Sequence, residues 1–247
     1  MKLEGSVVVV TGASDRLGGA IARSLARQGA SVLVHCHTDT VHADETVDSI
    51  RASGGTAARV ASDLTTMEGV EAVVGAVMDR FGRWNALINN ASRFDTVGIE
   101  EITVEQYMAD QNLHLRAPFF LSKALYEQVR ATEDRKEDAC VVNITDTGVR
   151  RPVPSRPSYY LAKAGLEEQT RVLGRALAPY VRVNAVAPGA VIPASESDLS
   201  YFDRLASRVP LQQLASVEDI LSTLLFLLRT ESITGQTIVV DGGEHLL

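Results

Sequence analysis

The sequence predicts an α/β fold in which a doubly wound parallel sheet of about seven strands carries helices on both faces. Two observations carry this. Apolar runs of strand length recur along the 247 residues and alternate with longer segments of helical period. The first run, VVVV, passes directly into a glycine turn and a helical segment, the opening of a βαβ unit.

Taken in order, strand Val7 to Val10 is followed by a helix from Leu17 to Gln28, and strand Val32 to Cys36 by a helix from Asp44 to Ser53. Strand Ala57 to Ala61 leads into a helix from Met67 to Phe81, and strand Ala86 to Ile88 into one long helix from Val104 to Val129. The polar stretch Ala131 to Asp138 reads as a surface loop with no role in binding. Strand Cys140 to Ile144 follows; then Pro152, Pro154 and Pro157 punctuate the chain before a helix from Ser158 to Leu177. After strand Val181 to Val186, the segment Pro188 to Ser200 is small and acidic with two prolines. It is either a lid, covering about residues 188–215, or a plain surface crossing. A helix from Val217 to Leu228 and strand Thr237 to Val240 close the chain, with no internal repeat, so residues 1–247 read as one domain.

Composition narrows the function classes. With 45% hydrophobic and 22% charged residues the chain is an ordinary globular protein. A net charge of −7 without clustered Lys and Arg argues against nucleic acid as a partner. The longest apolar stretches, around Ile220 to Leu228, are too short and interrupted to span a bilayer. Cys36 and Cys140 both lie in strand-like runs, and MKLEGSVVVVTG leaves no room for a cleavable leader, so a reducing, cytoplasmic setting is expected.

Two constellations bear chemistry. In VVVVTGASDRLGGAIA, Gly12 and Gly18 stand between strand and helix, where close backbone approach and a helix N-terminus suit a pyrophosphate; the competing account is a tight turn. Tyr159 and Lys163 lie one helical turn apart on one face, so an ammonium can stabilise a phenolate and make the tyrosine a usable proton donor. Tyr160 points about a hundred degrees away and has no lysine at that spacing.

Together with NNAS at Asn89 to Ser92, VNAVAPG at Val183 to Gly189 and VDGG at Val240 to Gly243, these motifs make the whole chain resemble the short-chain dehydrogenase/reductase family. The resemblance implies a single Rossmann-type domain, a nicotinamide cofactor and often a homotetramer with the fifth helix in an interface. It implies cofactor contacts from Gly12, Arg16, Leu17, Gly18, Asp63, Leu64, Asn90, Ala91, Ser92, Lys163, Pro188 and Gly189. Asp63 would sit beside the adenine or else cap the next helix.

Departures from the usual pattern sharpen the reading. Arg16 replaces a glycine and NNASRF stands where NNAG is common, both of which resemble the pteridine and dihydromonapterin reductases. In that subgroup the arginine lies near the cofactor phosphate and the substrate, and the aromatic matching Phe94 stacks on the pterin; here Phe94 either does this or packs under a loop. In VHCHTD after the second strand, His35, His37 and Thr38 could donate to a ribose 2′-phosphate and Arg16 adds charge, but Asp39 opposes it. NADPH is the expected cofactor, with NADH the alternative. A metal held by His35, His37 and His42 is disfavoured for want of a further ligand. His114 stands where the family has an asparagine that helps hold a water; it either substitutes or is a satisfied core histidine.

Asp146 stands where most of the family carries serine, again as in the pteridine reductases. A carboxylate only accepts, so it would repel a carbonyl oxygen gaining charge yet suit a substrate whose nitrogen bears hydrogen. The plainer alternative is a turn at TDTG. The expectation is an NADPH-dependent reductase of a pterin or other cyclic imine. In it Tyr159 donates, Lys163 tunes, and Asp146 with Arg16 and Phe94 holds the small-molecule substrate. The rivals are a ketone reductase of secondary metabolism and a nucleotide-binding protein without turnover.

Overall fold

The computed structural model describes residues 1–132, 139–193 and 199–247. Its strands are β1 Val7–Val10, β2 Ser31–Cys36, β3 Ala57–Ala61, β4 Ala86–Asn89, β5 Ala139–Ile144, β6 Val181–Pro188 and β7 Thr237–Val240. Its α-helices are α1 Arg16–Arg27, α2 Thr40–Ala52, α3 Met67–Phe81, α4 Val104–Gln111, α5 Ala117–Ala131, α6 Pro157–Ala176, α7 Leu199–Ala206 and α8 Val217–Arg229. The strands form one sheet in the order β3-β2-β1-β4-β5-β6-β7, and every pairing is parallel.

A parallel sheet buries both faces, which explains why the inner strands are continuous apolar runs rather than alternating ones. Val8 and Val10 of β1 join Ile21 and Leu25 of α1, Val47 and Ile50 of α2, and Ile220, Leu224 and Leu227 of α8 on one face. Val7 and Val9 turn the other way, toward Val73 and Val77 of α3, Leu121 and Leu125 of α5, and Leu173 of α6. Strand order reverses between β1 and β4, so a crevice opens at the carboxyl ends of the strands there.

The expected long helix from Val104 to Val129 is interrupted. Residues Asn112–Arg116 form a π-helical turn between α4 and α5. Pro118 explains the break, because it has no N–H to offer the carbonyl of His114 and the α-ladder cannot run through. The consequence is local and useful: His114 is turned into the interior.

One further expectation is corrected. α2 starts at Thr40, four residues before the expected Asp44, because Asp39 caps it by accepting from the His42 backbone N–H. Within the 188–215 segment, Leu199–Ala206 form helix α7, which buries Leu205. Residues 194–198 of that segment, and most of the expected loop Ala131 to Asp138, lie outside the described residues. Among the described residues no helix is long and apolar enough to cross a membrane.

Candidate active site

The glycine turn is built by contacts that exclude side chains. Gly12 has φ +60°, and a Cβ there would meet the Ala91 Cα at 2.7 Å; a Cβ at Gly18 would lie 2.0 Å from the Gly12 carbonyl oxygen. Asn90 braces the turn, donating from Nδ2 to the carbonyls of Thr11 and Gly12 at 3.0 and 2.9 Å. The Thr11 hydroxyl accepts from the backbone N–H groups of Asn90 and Ala91.

His35 completes the same turn, and here one expectation is corrected. Its Nδ1 accepts from the Gly12 N–H at 3.1 Å, so Nε2 carries the proton and donates to the Ser62 carbonyl at 3.0 Å. Burial pushes its pKa down to about 4, against the pull of the Ser62 hydrogen bond. A neutral ring with both nitrogens engaged cannot donate to a phosphate. His35 shapes the turn.

A cleft of about 850 Å³ runs along the carboxyl ends of β1, β2 and β4. It is lined by Gly12, Arg16, Leu17 and Gly18 at the head of α1, by His37, Thr38, Asp39 and His42 after β2, by Asp63 and Leu64 after β3, by Asn90, Ala91 and Ser92 after β4, and by Tyr159 and Lys163. An extended dinucleotide fits this donor set: α1 has no acid in its first turn, and its N-cap Asp15 makes no side-chain cap hydrogen bond, so the first backbone N–H groups of the helix are left for a ligand. Pro188 and Gly189 are not among the residues lining it. Gly189 instead packs on Asp241, whose Cβ would lie 2.7 Å from one added at the glycine.

The arginine at the turn lines the cleft and also reaches across the chain. Arg16 has φ +50° and donates to the carbonyls of Ile192 and Pro193 at 3.0 and 3.2 Å, spanning from the cleft floor to the segment after β6. Asp63 does not cap α3; Thr66 does, by accepting from the Gly69 N–H. Asp63 closes its own turn through the Thr65 N–H at 2.8 Å and stays on the cleft wall.

At the other end Tyr159 is buried on α6, and its hydroxyl donates to Asp146 Oδ2 at 2.6 Å. The second carboxylate oxygen accepts from the Gly148 N–H at 2.6 Å, so Asp146 both starts the TDTG turn and holds the phenol. Burial first, then the Asp146 charge, raises Tyr159 well above the usual tyrosine value. Lys163, 2% exposed, donates to the Ile144 carbonyl at 2.8 Å, with Nζ 5.8 Å from the Tyr159 ring centre. Desolvation pushes it down to about 8, against the pull of Asp146.

His114 is locked to its surroundings. The Arg93 backbone N–H reaches Nε2 at 3.3 Å and the Ser92 hydroxyl lies at 3.1 Å, so Nδ1 bears the proton and faces the Asp110 carbonyl at 3.1 Å. Burial, helped by the Lys163 charge, holds its pKa well below normal. It also lines, with Lys163, an enclosed cavity of about 10 Å³, room for one water at most.

Phe94 does not pack under a loop. It is 52% exposed, meets Tyr159 edge-on at 4.8 Å, and carries the Arg156 guanidinium 3.9 Å over its ring. Sequence reasoning missed three neighbours. Tyr160, set aside as pointing away, packs 5.2 Å from Tyr159, and its hydroxyl fills the space that a side chain at Gly148 would need. Arg156 had only its place before α6 to recommend it. Asp241 is buried and ties the chain end to the Asp146 turn, accepting from Thr147 Oγ1 at 2.7 Å and the His245 N–H at 2.8 Å; the quoted VDGG motif was the available signal.

A family model described as Enoyl-(Acyl carrier protein) reductase matches residues 12–245. The chain belongs to the short-chain dehydrogenase/reductase family and is an oxidoreductase. The solved structure of FolM alternative dihydrofolate reductase 1 from Brucella canis, complexed with NADP, is 34% identical with a TM-score of 0.92, covering 100% of this chain and 96% of that one. LugOII, a promiscuous reductase that catalyses keto-reduction at C1 during lugdunomycin biosynthesis, is 30% identical with a TM-score of 0.88 and full coverage of both chains. A 3-oxoacyl-[acyl-carrier-protein] reductase of Synechocystis is 31% identical over 98% of this chain and 97% of its own length.

Proposed function

We propose that the protein is an NADPH-dependent reductase of a C=N bond in a pterin or similar flat cyclic imine. The observation that carries this is the 2.6 Å contact of Asp146 Oδ2 with the Tyr159 hydroxyl. A carboxylate there accepts hydrogen from a ring N–H or amino group, whereas a carbonyl oxygen gaining negative charge would meet a negative neighbour. The NADP bound by FolM and the fit of the cleft support the cofactor, which when bound supplies the hydride.

The chain's own groups handle the proton. Asp146 keeps the Tyr159 phenol protonated until the substrate nitrogen needs it, and the hydroxyl then turns from the carboxylate to that nitrogen. Lys163 holds positive charge beneath the ring and stabilises the phenolate left behind. Phe94 forms the wall against which the flat ring stacks, with Arg156 on one of its faces. His114 fixes Ser92 and Arg93 rather than passing the proton. Arg16 anchors the 188–215 segment as a substrate lid through the carbonyls of Ile192 and Pro193. The exposed Phe119, Phe120, Leu161 and Val172 on α5 and α6 support assembly as a homotetramer, and a reducing cytoplasm suits the two buried cysteines.

The second reading, a ketone reductase, is favoured by the likeness to LugOII. NADPH oxidation with dihydropterin, dihydrofolate and a panel of cyclic ketones decides between them. Turnover of the dihydropterins is the expected result, and turnover of ketones alone overturns the proposal.

A further inference from the structure

An aspartate just after the second strand is a poor neighbour for a 2′-phosphate, because such an acid accepts from the free 2′-hydroxyl of an unphosphorylated ribose. In this chain Asp39 is already engaged. Its Oδ1 accepts from the His42 backbone N–H at 3.3 Å, and the His42 ring nitrogen Nδ1 lies 3.0 and 2.9 Å from the two carboxylate oxygens. The acid is therefore turned back onto its own helix and paired with an imidazole, both about half exposed. Both residues line the cleft beside His37 and Thr38.

We propose that His42 determines the cofactor: as imidazolium it neutralises Asp39 and offers Nε2–H to a ribose 2′-phosphate, so the chain takes the phosphorylated dinucleotide despite its aspartate. The inference rests on the NADPH reading and adds the residue responsible for it. The two arginines near the site are otherwise occupied. Arg59 of β3 donates to Asp44 at 2.6 Å, and Arg16 is held by the Ile192 and Pro193 carbonyls. His37 stands 4.0 Å from Asp63 Oδ2.

The charges acting on His42 are all acidic: Asp39 by hydrogen bond and charge, Glu45 from the next turn of α2, and Asp15 from the head of α1. They raise its pKa above the ordinary histidine value, the Asp39 hydrogen bond most. The sign follows. Below that raised pKa the ring carries both protons and attracts a phosphate. Above it the proton stays on Nδ1 against Asp39, and Nε2 turns a lone pair toward the phosphate. NADPH affinity then falls with rising pH while NADH affinity does not follow it. Lys163 titrates at the far end of the cleft and acts on both cofactors alike, so the ratio of the two affinities isolates His42.

The test is calorimetric titration of the full chain with NADPH and with NADH at about pH 6, below the ordinary histidine value, and at about pH 9. Wild type should bind NADPH more tightly, with a preference that shrinks at the higher pH. His42→Gln should weaken NADPH about tenfold, leave NADH within about twofold, and abolish the pH dependence of the ratio. Asp39→Asn combined with His42→Gln should regain most of the lost NADPH affinity, because the repelling charge is gone. An unchanged NADPH affinity in His42→Gln, or an equal loss for both cofactors, overturns the role of His42. A wild type that binds NADH alone overturns the NADPH reading itself, and with it the inference.

Discussion

Asp146, behind Tyr159, and Asp39 stand at opposite ends of one cleft, and each holds a hydrogen-bonding ring: the Tyr159 phenol at 2.6 Å and the His42 imidazole at 2.9 Å. The first ring is enclosed by Phe94, His114 and Tyr160, whereas the second pair stands about half exposed to water. The same partnership therefore has different consequences. In the buried pair desolvation first, and then the poorly screened charge of the carboxylate, moves the tyrosine pKa well upward. At the surface water and salt damp the pairing, leaving enough to adjust which cofactor binds but not enough to govern a reaction.

The largest effect should come from breaking the buried pair. Tyr159→Phe keeps the ring and its contacts but removes the proton, so turnover should drop about thousandfold while NADPH affinity stays within about twofold. Steady-state rates beside calorimetric titration check both halves. Next comes pH. The Lys163 cation is lost as pH rises through about 8, so kcat/KM should decline by about tenfold per pH unit above that point. A profile flat to pH ~10 would mean that the ammonium is not needed.

A smaller effect concerns the glycine turn between the two ends. His35→Phe leaves the Gly12 N–H and Ser62 carbonyl without their partner and should cost about 2 kcal/mol in urea unfolding. The pH sign is fixed by the depressed pKa. A ring buried neutral favours folding fully above its ordinary 6.5 and loses that contribution as pH falls toward about 4. Wild type should thus lose stability across that window more steeply than the variant. Least of all, added salt should narrow the gap between NADPH and NADH affinity, since Asp39 and His42 lie in water.

The sheet was legible because its inner strands are buried on both faces, and an apolar run such as VVVV or CVVNI needs no partner to be recognised. The helix from Val104 was not legible as two. Its periodicity continues across the break, and the cause is a missing donor at Pro118 rather than a change of pattern. In the site, Tyr159 and Lys163 could be paired by spacing along one helix, and Asp146 through the resemblance, as the position where most of the family carries serine. The histidines could not be read that way. His35 answers to Gly12 and Ser62, and His114 to Ser92, Arg93 and Asp110, partners that only the fold brings near. Tyr160 was lost because a helical wheel describes direction but not what packs into the space left by Gly148.

Asp146→Ser replaces an acceptor-only group with one that can donate, and its effect on two substrates measured in parallel probes the proton chemistry most directly. With NADPH, kcat/KM for a dihydropterin should fall about hundredfold while that for a cyclic ketone rises, so that the preference inverts. Equal losses on both substrates, or a dihydropterin rate left unchanged, would contradict the assignment of the carboxylate to substrate selection.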